Sequence, residues 1–103
     1  MVHKYSILQL VETGSPITRD KMFMPWDFVK NKFDINEYQK VYEGEIEGGI
    51  SEHFILEDLY QMFNVNHPKD FEGHSLSVSD VVELDGKLWY CDSYCWHKIE
   101  EEN

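Results

Sequence analysis

The sequence is expected to fold as α+β, with a small antiparallel β-sheet and two or so short helices packed on it. Three observations predict this. Short runs rich in β-branched and aromatic residues alternate with turn signals. Two of those runs flank Asp85-Gly86, the kind of pair that a tight hairpin prefers. One stretch, "ILEDLYQMFN" (55–64), repeats its apolar residues at helical instead of strand spacing.

In chain order, "HKYSILQLV" (3–11) reads as a first strand that ends at the turn residues of "ETGSP". "PWDFVKNKF" (25–33) opens with a proline suited to a first helical turn and spaces Trp26, Val29 and Phe33 as one helix face. "NEYQKVYEGEI" (36–46) becomes extended around Val41-Tyr42 and stops at the glycines of "EGG". The stretch 55–64 places Leu56, Leu59, Tyr60 and Phe63 on one amphipathic stripe, with Glu57 and Asp58 expected in the first turn, where they complement the helix dipole. "VVELDGKLWYCDSY" (81–94) supplies two strands around the turn, and "WHKIEEEN" starts extended before becoming an acidic tail at 100–103.

A chain of 103 residues and 12.3 kDa supports one domain with one core, here expected over 1–99, because about two-thirds of its surface can be buried. Fifteen aromatics argue against disorder, since each can bury a large apolar area. No apolar run approaches the roughly 18 residues of a membrane span. The opening "MVHKYSILQLVETG" is too short and too polar for a signal peptide. The expected location is cytoplasmic, without membrane contact.

Catalysis and metal binding are both disfavoured by spacing. "GHSLS" (73–77) suggests the G-x-S-x-G turn of a hydrolase nucleophile, but Ser77 stands where the second glycine is needed, and "NHPKDFE" before it is no buried strand. Ser75 and His74 are also sequence neighbours, which seldom face one another. Gly73 is expected to turn the chain, Ser75, Ser77 and Ser79 to bond local backbone, Asp80 to close a turn, and Leu76, Val78, Val81 and Val82 to supply core. Cys91, Cys95 and His97 make only half of a zinc site, and Cys91 fits better as a small buried side chain. No cofactor or metal is expected.

Charge is distributed unevenly. Six Lys/Arg and five acids give residues 1–40 a net +1, whereas three lysines and fifteen acids give 41–103 a net −12. Such a surface repels nucleic acid and anionic membranes and attracts basic proteins. Its expected centre is the row Glu43, Glu45 and Glu47. In an extended chain these share one face at a repeat of about 6.6–6.8 Å, with Tyr42, Gly44 and Ile46 on the other. One use of such a row is to protect an edge strand against aggregation; another is to present carboxylates to a basic groove. Three glutamates are too sparse to imitate a duplex carrying one charge per about 1.7 Å. Glu52, Asp85, Asp92 and the tail Glu100 to Glu102 are therefore expected to contribute to partner binding.

The run "FNVNHPKDFEGHSLSVSDVV" (63–82), with "LEDLY" before it and Tyr90-x-Asp92-Ser93-Tyr94 after it, resembles the YodL-like domain. With "ILQL" and Val41-Tyr42 the resemblance covers nearly the whole chain. It implies a domain of bacterial chromosomes and mobile elements, one example being linked to the actin homologue MreB, and it implies no enzymatic activity. The chain departs from the pattern in the long acidic segment "EGEIEGGISEHF" (43–54) and at Cys95, where glycine is usual. The resulting expectation is a non-enzymatic inhibitor encoded by a mobile element. It would be an antidefence, anti-CRISPR-like protein on a basic surface of a CRISPR effector nuclease, the alternative being a modulator of MreB.

Overall fold

The computed structural model describes residues 1–10, 24–31, 33–65, 69–71, 76–92 and 95–99. It contains β1 (Val2–Leu10), a short helix α1 (Trp26–Val29), a 3-10 turn (Ile35–Glu37), β2 (Tyr38–Glu47), α2 (Glu52–Val65), β3 (Val81–Leu84), β4 (Lys87–Cys91) and β5 (Trp96–Ile99). The strands form one antiparallel sheet in the order β2-β1-β3-β4-β5. The expected α+β class is therefore what the chain adopts.

Alternation along the strands gives each face its own composition. Tyr5 and Ile7 of β1, Val82 and Leu84 of β3, Trp89 and Cys91 of β4 and Trp96 of β5 join Ile55, Leu56, Leu59 and Phe63 of α2 in the main core. Fully burying one such aliphatic or aromatic side chain is worth about 1.5–3 kcal/mol, so the four from α2 hold the helix on the sheet. Rings fill the space between them: Phe63 meets Phe71 edge-on at 4.8 Å and Tyr42 at 5.5 Å. The Tyr5 ring lies against Gly44 on β2, where a Cβ would stand 3.0 Å from the Tyr5 hydroxyl, so a larger residue would have to push that ring aside.

On the opposite face, Val29, Val81 and Tyr90 form a smaller cluster with Leu8, Trp26, Phe33, Tyr38, Leu88 and Ile99 around it. The helical spacing expected over 25–33 gives only the single turn of α1, with Pro25 as its N-cap. Phe33 reaches this cluster from the connecting chain, 5.6 Å from the Trp26 ring. The hairpin at 85–86 is as expected, with Asp85 at φ +50° and Gly86 at φ +86°, the two positive values of a type I′ turn.

Three further expectations change in detail. α2 starts at Glu52, so Glu52 occupies its first turn, and Glu57 and Asp58 lie a full turn further in. Its buried stripe is Ile55, Leu56, Leu59 and Phe63; Tyr60 is exposed and meets Trp96 edge-on at 6.5 Å. β2 begins at Tyr38 and carries a bulge: Ile7 pairs with Tyr42 but Leu8 with Lys40, leaving Val41 as the extra residue. Val41 and Tyr42 thus both pack towards the main core, although they are consecutive in the strand.

The turn before β3 is built around buried Asp80. Its Oδ2 accepts from the backbone N–H of Ser77 at 2.9 Å and from Nε2 of Gln9 at 3.2 Å. Ser79 beside it sits at φ +87°, a left-handed conformation held by its N–H to the Cys91 carbonyl and by the Tyr38 hydroxyl on its own carbonyl. Leu76, Val81 and Val82 are buried as expected, and Val78 is half-buried. Gly73, His74 and Ser75 lie outside the described residues.

The revised helix stripe has a direct test. Leu59→Ala should cost about 2–5 kcal/mol in urea unfolding, because Leu59 is fully buried beneath the helix. Tyr60→Ala should cost less than Leu59→Ala, about 1 kcal/mol, since Tyr60 keeps 40% of its surface exposed.

Candidate functional site: the open acidic face

Among the described residues, α1 and its aromatic neighbours cover part of the sheet face opposite α2. The remainder is a groove of about 650 Å³ whose lining includes Lys4, Ser6, Lys40, Glu43, Glu45, Glu83 and Asp85. Strand register explains how these residues meet. Lys4 pairs with Glu45, while Ser6 lies between Glu43 on β2 and Glu83 on β3. Odd-numbered glutamates of β2 and the odd-numbered glutamate of β3 consequently point to the same side.

The row itself is exposed along its length. Glu43 pairs with Lys40 at 3.2 Å, an approach the bulge permits by returning Lys40 to the face of Glu43. Glu47 lies 3.3 Å from the amino group of Met1. Both are solvated pairs, each worth about 0–1 kcal/mol, and they leave the carboxylates available to a partner. Glu45 and Glu83 make no ion pair among the described residues.

Asp85 borders the groove but is committed to the fold. Oδ1 accepts from the Lys4 backbone N–H at 3.1 Å, and Oδ2 faces Nδ1 of buried His3 at 2.5 Å. The other His3 nitrogen, Nε2, meets the Gly49 carbonyl at 2.8 Å. Two acceptors around one ring favour the doubly protonated imidazolium, which clamps the β3–β4 turn to the connection between β2 and α2. The hydrogen bond to Asp85, then that to Gly49, raises the His3 pKa despite the opposing cost of burial. The same contact with His3 lowers that of Asp85.

Of the nine acids expected to bind a partner, Glu43, Glu45 and Asp85 line one groove and Glu47 extends its β2 wall. Glu52 stands in the first turn of α2, 3.4 Å from Lys87. Asp92 follows β4 and accepts from the Trp26 backbone N–H at 3.2 Å, fixing α1 to the sheet. Neither lies among the residues of the groove. Glu100 to Glu102 are outside the described residues. Glu83 was missed by the sequence reading; its place in the alternation of "VVEL" signals its face, but only the pairing of β3 with β1 brings it opposite Ser6.

Cys91 and Cys95 line one small pocket, whereas His97 lies apart from them. Cys91 faces the main core, and burial, followed by the charges of Asp80, Glu57 and Asp92, pushes its thiol up to about 12. His97 stacks on Trp26 at 4.9 Å. Among the described residues no group of three or more His, Cys, Asp or Glu side chains could hold a metal ion, and no helix is long and apolar enough to cross a membrane.

A family model for the YodL-like domain matches residues 4–101. The chain belongs to the YodL-like domain family. In this YodL-like domain the match takes in all of the described helices and strands except the first two residues of β1, and thus includes both walls of the groove. No curated protein and no solved structure matches the chain.

The clamp gives the domain a defined pH response. His3 has a raised folded pKa, so its stabilisation is complete below the ordinary histidine value of 6.5 and is lost as pH rises through the folded value. Asp85 has a lowered folded pKa, so its contribution is complete above the ordinary 3.8 and is lost as pH falls through the folded value. The thermal stability of the wild type should therefore fall as pH rises above about 6.5, and His3→Gln should flatten that limb of the profile.

Proposed function

We propose that this YodL-like domain is a non-enzymatic protein-binding module that docks its open acidic sheet face on a basic, nucleic-acid-binding surface of another protein and thereby inhibits it. The observation that carries this reading is the convergence of Glu43, Glu45, Glu47 and Glu83 on one solvated face from two different strands. Such a row is unfavourable in isolation, because like charges repel across and along the sheet. A cationic partner removes that repulsion, speeds encounter through long-range attraction, and is discriminated from neutral or acidic competitors.

The target class that suits the surface is a protein whose own ligand is an extended polyanion. A CRISPR effector nuclease is the concrete version, with the domain acting in the cytoplasm as an antidefence protein of a mobile element and occupying the channel for guide or target nucleic acid. Family membership favours a second reading, modulation of the MreB cytoskeleton. The two differ in their salt dependence and in their competitor. Nuclease binding should fall steeply with salt and compete with nucleic acid, whereas MreB binding should change cell shape on overexpression.

Reversing Glu43, Glu45 and Glu47 to Lys changes the net charge by six units without altering the core side of β2. The variant should remain folded and lose inhibition of target cleavage by the nuclease. Reversal of Glu100, Glu101 and Glu102 makes the same change in charge and should mainly slow association, an effect that fades at about 0.3 M salt, where screening is strong. Equal binding by the two triple variants at that salt would remove the strand row from the interface. A change of cell shape with no effect on cleavage would select the MreB reading.

A further inference from the structure

We propose that the outer edge of β2 is a strand-acceptor site, which adds an extended basic segment of the partner to the sheet as a sixth strand. This rests on the acidic-face reading above and specifies the local structure of what that face binds.

Three features coincide on Tyr42–Glu47. First, β2 ends the sheet: β1 occupies its inner side, and no described strand pairs with its outer side. Alternate backbone N–H and C=O groups along that side are therefore presented for pairing. Second, the two faces of the segment differ in chemistry. Glu43, Glu45 and Glu47 are exposed on one, while Tyr42 and Ile46 are half-buried against the core on the other, with Gly44 between them. Third, the bulge at Val41 interrupts regular pairing at the start of the segment. Six residues remain, about 20 Å of extended chain.

A strand laid along this edge would place each of its side chains directly opposite one of β2 and on the same face, with Cβ atoms about 4.5–5.5 Å apart. Opposite the glutamates, Lys or Arg is required. On the other face, apolar side chains would extend the core over Tyr42 and Ile46. The complementary ligand is thus an extended segment in which basic and apolar residues alternate, recognised by main-chain hydrogen bonds for affinity and by alternate side chains for specificity. A second copy of this chain is a poor occupant, because pairing β2 with β2 sets the glutamate rows against each other or against the apolar side. The charge that prevents self-association also selects the partner.

The probe is a seven-residue capped peptide, Lys-Val-Lys-Val-Lys-Val-Lys, compared with a blocked peptide of identical composition, Lys-Lys-Lys-Lys-Val-Val-Val. The alternating peptide should bind at least tenfold more tightly at about 0.15 M salt, and amide hydrogen exchange should slow at alternate positions of 42–47. Two isomers, backbone N-methylated at the first three Lys positions or at the three Val positions, should differ: one binds like the parent and the other loses at least tenfold. If the blocked peptide and both methylated isomers bind as well as the parent, and Glu43→Lys/Glu45→Lys/Glu47→Lys abolishes all of it, the ligand lies on the acidic face without edge pairing; the strand-acceptor inference is then overturned and the proposed function stands. If the alternating peptide fails to bind, the inference is overturned. If peptide binding is indifferent to the triple reversal, the acidic-face reading fails with it.

Discussion

A five-stranded sheet has two faces to shield from water, and among the described residues one helix is long enough to cover one of them. α2 closes the face formed by Tyr5, Ile7, Val82, Leu84, Trp89 and Cys91. Among the described residues, the opposite face carries the single turn of α1 and a group of rings around Tyr90. Whatever those rings do not reach must be compatible with solvent, and strand alternation determines which residues stand there. The composition of the acidic groove is therefore a consequence of how the helices are shared out, before any partner is considered.

Within that constraint the choice of acids is informative. Serine or threonine would solvate the open face without charge repulsion, but glutamate recurs at 43, 45 and 47 and again at 83. The acids around the rim have other duties. Asp85 closes the clamp with His3, Asp92 fixes the start of α1, and Glu52 pairs with Lys87 at the foot of α2. Charge count alone does not separate a carboxylate that holds the fold together from one that is free to meet another molecule; hydrogen-bond partners do. By that measure Asp85 and Asp92 belong to the fold, whereas Glu43, Glu47 and Glu52 each make a single ion pair and Glu45 and Glu83 make none among the described residues.

How much of this can be read from the sequence depends on the range over which each signal acts. The β1 run, the Asp85-Gly86 turn, the glutamate alternation and the presence of α2 are local, set by two- or four-residue periodicities and by one turn pair. Local signals fail where tertiary packing intervenes. Phe33 joins Trp26 at helical spacing without a helix between them, because the ring is recruited by Tyr90 and Tyr38 from connecting chain. Tyr60 has the correct spacing for the buried stripe but lies on its margin, since Ile55 supplies the contact one turn earlier. The Val41 bulge and the order of the strands leave no mark at the level of composition. That is why Glu83, which owes its place to β1 lying between β2 and β3, is invisible until the register is known.

The same topology bears on how the domain is made. β1 comes first in the chain, yet it sits between β2 and β3, with Ile7 paired to Tyr42 on one side and to Val82 on the other. During synthesis from the amino terminus it can find β2 early, but a two-stranded ribbon is at best marginal in water, and its Tyr5 and Ile7 face has no cover until α2 has emerged. Its second edge stays open longer still, until β3 leaves the ribosome. Closure of the sheet is thus a late event that depends on contacts between the two ends of the chain, the circumstance in which folding is slow and nascent chains most need protection from aggregation.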